Sequence, residues 1–382
     1  MINRRAWGGR IETAWARNPV LWVWGPRRAG KSSLARSLPG ADCLDCELPA
    51  VRRLLEKPEA ALAGFQGKRV VLDEIQQVHH ASDLIGTALE RPSELKILAV
   101  ATARLDAGGP FGGTLPEGMG QVWLTPMVQA DLVDFGNTDL THRFLHGGLP
   151  PHFLSPAPPE KEFQGWMDTY WAKDVQELFR LERRGPFQRF IELVMARSGE
   201  MFEATQFTTE CGVSRGTITK YLAVLEATGV ALVVRPFSSR RSHEIIAAPK
   251  VYGFDTGFVC VHRGWTQLRS GDLGRLWEHY VLNEIVARTQ ATAVRYWQDK
   301  QGHGVSFVCA REGGKLLGLE CAWSVNDLDP AGLLAFARNY PEARLLAATT
   351  DAELSFTRSY DSVRVEFVGL AEAVTQVAQA LA

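Results

Sequence analysis

The chain has 382 residues, with 42 basic and 43 acidic side chains and a formal net charge of −1. This length predicts two or three domains, and a hydrophobic content of 46% is enough to bury sizeable cores. The balanced charge argues against a whole-protein attraction to nucleic acid, so such a contact requires a local basic patch. No apolar run approaches the ~20 residues that span a bilayer, and no apolar stretch of the signal-peptide kind follows the first arginines.

The six cysteines are scattered along the sequence. Only Cys43 and Cys46 form a C-x-x-C pair, and no second pair or histidine pair completes a zinc set. We interpret these two residues as ordinary side chains rather than redox or metal groups. A cytoplasmic protein with reduced thiols and no membrane partner is therefore expected.

The first third of the chain alternates predicted strands with predicted helices. The predicted strands are Val20–Trp24, Asp42–Asp45, Val70–Glu74, which ends in two carboxylates, and Leu95–Thr102. The predicted helices are 11–18, 33–38, Pro49–Leu62, with Val51, Leu54 and Leu55 on one face, and Leu84–Leu89. The Gly- and Pro-rich stretch Gly108–Gly120 predicts a mobile loop. This alternation predicts an α/β fold with a parallel sheet covered on both faces and ligands at the carboxyl ends of its strands.

A glycine-rich loop separates the first strand from the following helix. Residues 25–32 read Gly-Pro-Arg-Arg-Ala-Gly-Lys-Ser and match the phosphate-binding pattern G-x-x-x-x-G-K-[ST]. Backbone N–H groups and a helix N-terminus bind phosphate oxygens in such a loop, and its glycines permit the tight turn. An ordinary glycine turn is the alternative. The predicted nucleotide-binding set is Gly25, Pro26, Arg27, Arg28, Ala29, Gly30, Lys31, Ser32 and Ser33.

Individual roles follow from the chemistry of phosphoryl transfer. Lys31, expected at an exposed loop–helix junction, is predicted to contact the β- and γ-phosphates, and the Ser32 hydroxyl to bind Mg²⁺. Asp73 ends a predicted strand and is the second candidate Mg²⁺ ligand, and Glu74 is placed to act as a general base on water. A buried strand with a solvated acidic end is the alternative for these carboxylates. Thr102, at another strand end, is either a sensor of the γ-phosphate or a strand-end cap.

The middle of the chain has a different pattern. Helices are predicted around Phe163–Leu181 and over Phe190–Arg197, and Thr208–Leu222 predicts helix, turn and helix with Ser214 as the N-cap. Strands predicted at Val230–Arg235 and Glu244–Ala247 complete a winged-helix pattern. The candidate nucleic-acid contacts are Arg215, Thr217 and Lys220 on the second helix and Arg235, Arg240 and Arg241 on the wing. A DNA-binding module and a packing or protein-interaction module are equal alternatives.

The last part of the chain is again predicted to be α/β. A helix is predicted over 274–285, with Leu276, Tyr280 and Ile285 on its buried face. The remaining predicted elements are strands at Val294–Trp297, Val305–Cys309, Leu316–Cys321 and Arg344–Thr349, and helices at Ala331–Asn339 and Ala371–Leu381.

Nearly the whole chain resembles a prokaryotic family of AAA-superfamily ATPases. The family has an N-terminal P-loop domain, a winged helix and a C-terminal domain similar to restriction nucleases. The resemblance implies ATP as ligand and Mg²⁺ as cofactor, and it implies domains at 1–140, 141–270 and 271–382. The motifs that carry the resemblance are Gly25–Leu34, Leu72–Gln76, Gly147–Pro150, Tyr170–Asp174, Pro249–Gly257 and Trp277–Glu278.

The sequence departs from this family in two domains, and the first departure lies in the N-terminal P-loop domain. Ala101-Thr102-Ala103 stands where relatives have Thr-Gly-Ser, and Gly118-Met119-Gly120-Gln121 stands where a Gly-Arg precedes the next strand. A polar sensor and an arginine are thus expected to be missing, which makes ATP binding a safer expectation than fast turnover.

The second departure lies in the C-terminal domain. Relatives have Glu-Val-Asp-Phe and Glu-x-Lys on two strands, whereas this chain has Gly304-Val305-Ser306-Phe307 and Glu320-Cys321-Ala322. Carboxylates that hold the metal and a lysine beside the phosphate are required for that chemistry. The sequence therefore predicts a slow Mg²⁺-dependent ATPase with an inactive nuclease-like domain. A non-hydrolysing nucleotide switch and a DNA-binding regulator are the alternatives, and a protein partner or an oligomer is compatible with all three.

Overall fold

The computed structural model describes residues 4–90, 95–105, 116–237, 248–291, 293–310, 314 and 316–382. The chain forms two compact units. The first contains the chain up to Phe190 together with Gly216–Val230, and the second contains Ile191–Arg215 and everything from Ala231 onward. The three-domain division at 140 and 270 stays a prediction.

The first unit is built on a five-stranded sheet whose strand pairs are all parallel, in the order β2-β3-β4-β1-β5. Its strands are β1 (Val20–Trp24), β2 (Ala41–Asp45), β3 (Arg69–Asp73), β4 (Lys96–Ala101) and β5 (Met119–Trp123). All five residues of β1 are buried, because β1 is an inner strand of the sheet and both of its faces are covered. The predicted α/β fold with a parallel N-terminal sheet is confirmed.

Ten helices of the first unit precede Phe190 in the described residues. They are α1 (Arg5–Arg17), α2 (Lys31–Arg36), α3 (Pro49–Leu55), α4 (Pro58–Phe65), α5 (Ala81–Leu89), α6 (Gln129–Asp134), α7 (Leu140–His146), α8 (Pro150–Phe153), α9 (Glu160–Tyr170) and α10 (Gln176–Phe179). A π-helical turn, Trp171–Val175, joins α9 to α10, and a 3₁₀ turn, Ile75–Gln77, follows β3.

Two predictions for this unit are wrong in detail. The single helix Pro49–Leu62 is two helices, because a residue before proline is disfavoured in the α region and Lys57 is extended before Pro58. Leu54, predicted on the buried face, is 51% exposed. Most of the predicted loop Gly108–Gly120 lies outside the described residues, but Met119 and Gly120 already belong to β5, whose Val122 and Trp123 are buried.

Three helices follow in chain order, α11 (Arg184–Ala196), α12 (Ala204–Cys211) and α13 (Arg215–Ala227). The predicted helix, turn and helix are therefore present, and Gly212 ends α12 with a φ of 62°. The apolar residues of α13 are buried as expected, including Ile218, Tyr221 and Leu225.

The second unit contains a nine-stranded sheet in the order β13-β14-β12-β11-β10-β9-β7-β8-β6. Its strands are β6 (Glu200–Met201), β7 (Ala231–Pro236), β8 (Lys250–Gly253), β9 (Arg295–Gln298), β10 (Gly304–Cys309), β11 (Leu317–Cys321), β12 (Arg344–Ala348), β13 (Phe356–Tyr360) and β14 (Val363–Val368). The helices from Ala231 onward are α14 (Thr256–Arg263), α15 (Ser270–Thr289), α16 (Ala331–Asn339) and α17 (Leu370–Leu381). A 3₁₀ turn covers Val325–Asp327.

Strand β7 forms an antiparallel pair with β8 and a parallel pair with β9. One sheet therefore continues from the middle of the chain into its C-terminal part. The predicted wing strand Glu244–Ala247 and the wing residues Arg240 and Arg241 lie outside the described residues. Across the described ranges, no helix has the length and apolar character needed to cross a bilayer.

Candidate functional site

The loop between β1 and α2 has a backbone that depends on its glycines. Gly25 has a φ of 154°, and a Cβ there would lie 2.2 Å from the carbonyl oxygen of Leu124. Gly30 has a φ of 96° and stands immediately before α2. Any side chain at Gly25 would therefore displace the backbone after β5, which explains why the first glycine of the pattern is required.

A buried arginine from the start of the chain holds this loop. The guanidinium of Arg4 donates hydrogen bonds to the carbonyls of Ala29 and Thr125, each at 2.9 Å, and to Asp131 Oδ2 at 2.6 Å. Arg4 is 3% exposed and Asp131 is fully buried, so this ion pair is shielded from water. It fixes the loop backbone at Ala29, and no sequence pattern indicated this ion pair.

Lys31 is buried, not exposed as predicted. Its side chain is 5% exposed, and Nζ donates to the carbonyl oxygens of Gly25 at 2.8 Å and Pro26 at 3.0 Å. Burial lowers the pKa of Lys31, while the nearby Glu74 carboxylate raises it. The ammonium thus occupies the concave side of its own loop, where a phosphate would take over its hydrogen bonds.

Ser32 and Asp73, the two candidate Mg²⁺ ligands, lie within hydrogen-bond distance of each other. Ser32 Oγ donates to Asp73 Oδ1 at 2.9 Å, and Arg36 Nη2 lies 3.3 Å from Asp73 Oδ2. Burial raises the pKa of Asp73, although the Ser32 hydrogen bond works against this. A hydroxyl and a carboxylate oxygen this close are hard oxygen donors of the kind that Mg²⁺ prefers, so the pair fits that ion.

Glu74 follows β3 in a left-handed conformation, with a φ of 53°. Gln76 Nε2 donates to Glu74 Oε2 at 2.6 Å, and Arg27 Nη2 lies 3.9 Å from the same oxygen. Burial raises the pKa of Glu74, and Lys31 and Arg27 lower it. A non-glycine residue with positive φ at the end of a strand is a sparsely populated conformation that turns this carboxylate toward the loop.

Arg27 of the loop forms a two-point ion pair with Asp174. Arg27 Nε and Nη2 each donate to a carboxylate oxygen of Asp174 at 2.9 Å, and the Asp174 side chain is fully buried. Asp174 lies in the π-helical turn, and Trp166 of α9 donates to the Arg27 carbonyl at 2.9 Å. Single turns of π-helix are often found at functional sites.

Arg27, Lys31, Ser32 and Glu74 line one cavity of about 740 Å³ within the first unit. Its polar lining consists of the loop residues, Glu74 and Thr169, and its apolar lining of Phe135, Pro150, Pro151 and Leu154. The lining residues are Arg27, Arg28, Gly30, Lys31, Ser32, Ser33, Glu74, Phe135, Pro150, Pro151, Leu154 and Thr169. A cavity of this volume with both charged and apolar lining residues suits a ligand that combines phosphates with a flat ring.

Thr102 follows β4 and is 2% exposed, and its Oγ1 has no hydrogen-bond partner among the described residues. It is absent from the cavity lining given above. The sensor role stays a prediction.

The C-terminal residues that replace the nuclease motif are also brought together. Ser306 donates from its backbone N and its Oγ to the two oxygens of Glu320, both at 2.9 Å, and desolvation raises the pKa of Glu320 to about 7. Glu278 accepts a hydrogen bond from the Tyr252 hydroxyl and lies 3.6 Å from Lys250 Nζ. Lys250 belongs to the Pro249–Gly257 motif, but the sequence assigned it no role, because it lies on β8, far along the chain from the nuclease-like strands.

The candidate nucleic-acid residues are only partly described. Arg215 and Lys220 are exposed on α13, and Thr217 is half-buried. Arg235 of β7 is exposed, whereas Arg240 and Arg241 lie outside the described residues.

Three regions of the chain match known families. Residues 17–133 match a family described as AAA domain, and residues 137–269 and 273–368 match two domains of unknown function, DUF8612 and DUF4143. Uncharacterised proteins of Mycobacterium bovis and Mycobacterium tuberculosis are each 26% identical over 311 residues, which is 79% of this chain and 70% of theirs. The first match supports the P-loop prediction, and the other two assign no activity.

Solved structures show a more distant likeness. A Walker-type ATPase of Pyrococcus abyssi is 14% identical, with a TM-score of 0.42 over 69% of this chain and 96% of that one. A signal-transduction ATPase with a tetratricopeptide repeat sensor from Pyrococcus horikoshii is 12% identical, with a TM-score of 0.29 over 74% and 46% of the two chains. Scores this low describe a loose likeness of chain path and do not identify a shared function.

Proposed function

We propose that this protein binds ATP with Mg²⁺ and hydrolyses it slowly, as an ATPase of the AAA type. The observation that carries the proposal is that Lys31, Ser32 and Glu74 face one cavity, with Asp73 bonded to Ser32. The AAA domain match over residues 17–133 supports it independently. Slow turnover follows from the absence of the expected Thr-Gly-Ser and Gly-Arg residues after β4.

Each residue has a defined task in this mechanism. The loop N–H groups and Lys31 bind the β- and γ-phosphates, and Ser32 with Asp73 would hold Mg²⁺. Bound there, Mg²⁺ neutralises charge on the phosphates and orients them. Glu74 accepts the proton of the attacking water, and the raised pKa that burial gives this carboxylate makes it a better base. The apolar residues Phe135, Pro150 and Leu154 offer a surface for the adenine ring.

Phosphate release from ATP by wild type and Glu74→Gln tests this proposal. We expect Mg²⁺-dependent release by the wild type, and an unchanged ATP Kd with no measurable release by Glu74→Gln, because the amide keeps the shape but accepts no proton. Equal turnover by the two proteins would reduce Glu74 to a strand-end carboxylate. ATP binding without any hydrolysis by the wild type would favour a nucleotide switch, in which ATP orders the loops and is not consumed.

A second candidate function is DNA binding through α13. The favouring observation is that Arg215 and Lys220 are exposed on a helix whose apolar residues are buried. If the helix contacts phosphates, Arg215→Ala with Lys220→Ala weakens binding to all duplex sequences and flattens its salt dependence. Replacing Arg240 and Arg241 of the predicted wing tests the neighbouring segment in the same assay. Unchanged binding in both variants, or none by the wild type, indicates a protein-interaction module.

A further inference from the structure

Within the described residues, the guanidinium of Arg27 forms hydrogen bonds along only one edge, the edge that carries Nε and Nη2. Nε and Nη2 both bond to Asp174, and the described residues provide no hydrogen-bond partner for Nη1. Arg27 nevertheless lines the cavity, with a side chain that is 15% exposed. The ion pair therefore fixes the plane of the guanidinium, and the N–H groups of Nη1 are left for a ligand in the cavity that Arg27 lines.

The position of this edge relates it to the predicted reaction centre. Nη2 lies 3.9 Å from Glu74 Oε2, the carboxylate proposed to take the proton of the attacking water. That water must stand next to the γ-phosphorus, so a cation beside Glu74 also stands beside the γ-phosphate oxygens. Lys31 lines the same cavity as Arg27 and Glu74, so both cations and the carboxylate border one ligand space.

We propose that Arg27 is a catalytic arginine supplied in cis to the γ-phosphate and that Asp174 is its positioning residue. This assignment rests on the proposed ATPase function. It also offsets part of the loss of the Gly-Arg expected after β4, because a loop arginine supplies one cation, while the expected Thr-Gly-Ser is still absent and turnover stays slow. Arginines that stabilise the charge of the transferring phosphoryl group raise turnover by about 10³-fold or more.

The step balances without a further reactant. The water oxygen forms a bond to the γ-phosphorus, and the bond between that phosphorus and the bridging oxygen breaks. The electron pair of the broken bond stays on the bridging oxygen of ADP, and the water proton passes to Glu74. Arg27 donates hydrogen bonds to the equatorial oxygens, where charge accumulates.

Asp174 is needed for two physical reasons. A buried guanidinium is costly without a partner, and a bidentate carboxylate both compensates its charge and fixes its orientation. Without Asp174, the same guanidinium would move the short distance to Glu74, pair with it and occupy the base. Asp174 thus keeps the cation and the base close to each other but unpaired.

Single-turnover hydrolysis of labelled ATP tests Arg27 directly. We expect Arg27→Ala to lower kcat by roughly 10³-fold while the ATP Kd changes by less than ~10-fold. Arg27→Lys should recover little, because an ammonium lacks the planar fork. Added guanidinium ion should raise the rate of Arg27→Ala but not that of the wild type. Binding of ADP with aluminium fluoride, a mimic of the transferring phosphoryl group, should weaken far more than binding of ADP alone.

The matched control is Lys173→Ala. Lys173 precedes Asp174 in the same π-helical turn, but its ammonium is 44% exposed and pairs with Glu47. We expect its kcat to stay within about twofold of wild type, since exposed ion pairs contribute little.

Asp174→Asn should lower kcat at nearly constant KM, with partial recovery in Asp174→Glu. If Asp174→Asn does not fold, the double variant Arg27→Gln with Asp174→Asn removes both buried charges and keeps amide hydrogen bonding. We expect it to bind ATP and to lose as much turnover as Arg27→Ala.

The outcomes separate this assignment from the function on which it rests. Absence of hydrolysis by the wild type overturns the ATPase function and the role of Arg27 together. An active wild type with an equally active Arg27→Ala overturns only the role of Arg27. Arg27→Ala could instead weaken only ATP binding, with an unchanged kcat and an unchanged ratio of the affinities for the fluoride complex and for ADP. That result would make Arg27 a ground-state binding residue.

Discussion

Lys31 donates to two carbonyls of its own loop, so its ammonium is already held where phosphates are expected to bind. In Lys31→Ala we expect ATP affinity to fall by about 100-fold or more, because a buried charge–charge contact is lost. Titration calorimetry with Mg·ATP measures the change, and circular dichroism verifies that the variant folds. Equal affinities of variant and wild type would contradict the P-loop assignment.

His279 is a buried imidazole whose Nε2 lies 2.9 Å from Ser198 Oγ. Ser198 Oγ already accepts a hydrogen bond from the Gly253 N–H, so its own hydrogen is available to a neutral His279. Burial lowers the pKa of His279 to about 4, below the ordinary value of about 6.5. The unfolded chain therefore binds this proton at a higher pH than the folded chain does, and stability falls as the pH falls from about 6.5 toward 4.

The expected loss at His279 between pH 8 and pH 5 is about 2 kcal/mol of unfolding free energy. Glu320 works in the opposite direction, since its raised pKa of about 7 favours the folded state as the pH falls. Glu320 is present in both wild type and His279→Gln, so its contribution cancels when the unfolding free energies of the two proteins are subtracted. Urea unfolding of both proteins at pH 8 and pH 5 measures this difference. The same change in unfolding free energy in both proteins would show that the pKa of His279 does not differ between the folded and unfolded states.

For single residues, the sequence predicted the members of local motifs but not the distant side chains that contact them. Lys31, Ser32 and Asp73 were found because the pattern and the strand end are local signals. The pairs Arg4–Asp131 and Arg27–Asp174 join residues 127 and 147 positions apart. Nothing in a single sequence indicates that such side chains meet, because their contact depends on the packing of whole elements.

Elements with strong periodicity were predicted well, and short or exposed ones were not. Strand β1 is entirely apolar, and β3 and β4 each contain a continuous apolar run, as is typical of buried parallel strands. Strand β13 was missed because it is an edge strand with four exposed residues out of five. The π-helical turn was missed because its hydrogen-bond pattern has no distinctive composition.

Side chains of α15, β8, β10 and β11 occupy the place of the nuclease motif and allow a prediction about nuclease activity. Relatives are expected to hold a metal with acidic residues there, but Glu320 is bonded twice to Ser306 and Glu278 lies near the ammonium of Lys250. A serine hydroxyl is neutral, and Mg²⁺ requires near-octahedral oxygen ligands. The ammonium balances the charge of Glu278 in place of a metal ion. We therefore predict that the purified protein does not cut plasmid or linear duplex DNA with Mg²⁺ or Mn²⁺.

Gel assays of both substrates measure this prediction, with Lys31→Ala included to separate it from ATP chemistry. Metal-dependent cleavage that persists in Lys31→Ala but disappears in Glu320→Ala would contradict it. Loss of the same cleavage in Lys250→Ala would further show that this lysine replaces the one missing at Cys321.

In the molecule as a whole, the cavity residues all belong to the first compact unit, and the nine-stranded sheet belongs to the second. A ligand that binds only the folded form of one unit stabilises that unit by mass action. At an ATP concentration of ~100 times Kd this amounts to about 2.7 kcal/mol. We therefore predict that Mg·ATP slows hydrogen exchange in β1, β3, α2 and the π-helical turn, and leaves β10 to β14 unchanged.

Two lysine variants make this experiment specific. Lys31→Ala should abolish the ATP-dependent protection, because the phosphate contact is removed while the fold is kept. Lys250→Ala changes a lysine of the second unit, outside the cavity, and should keep the protection in full. Exchange measured by mass spectrometry resolves both units within the same sample. Equal protection of β10 to β14 by ATP would contradict the prediction, because it would require nucleotide binding to stabilise the second unit as strongly as the unit that contains the cavity.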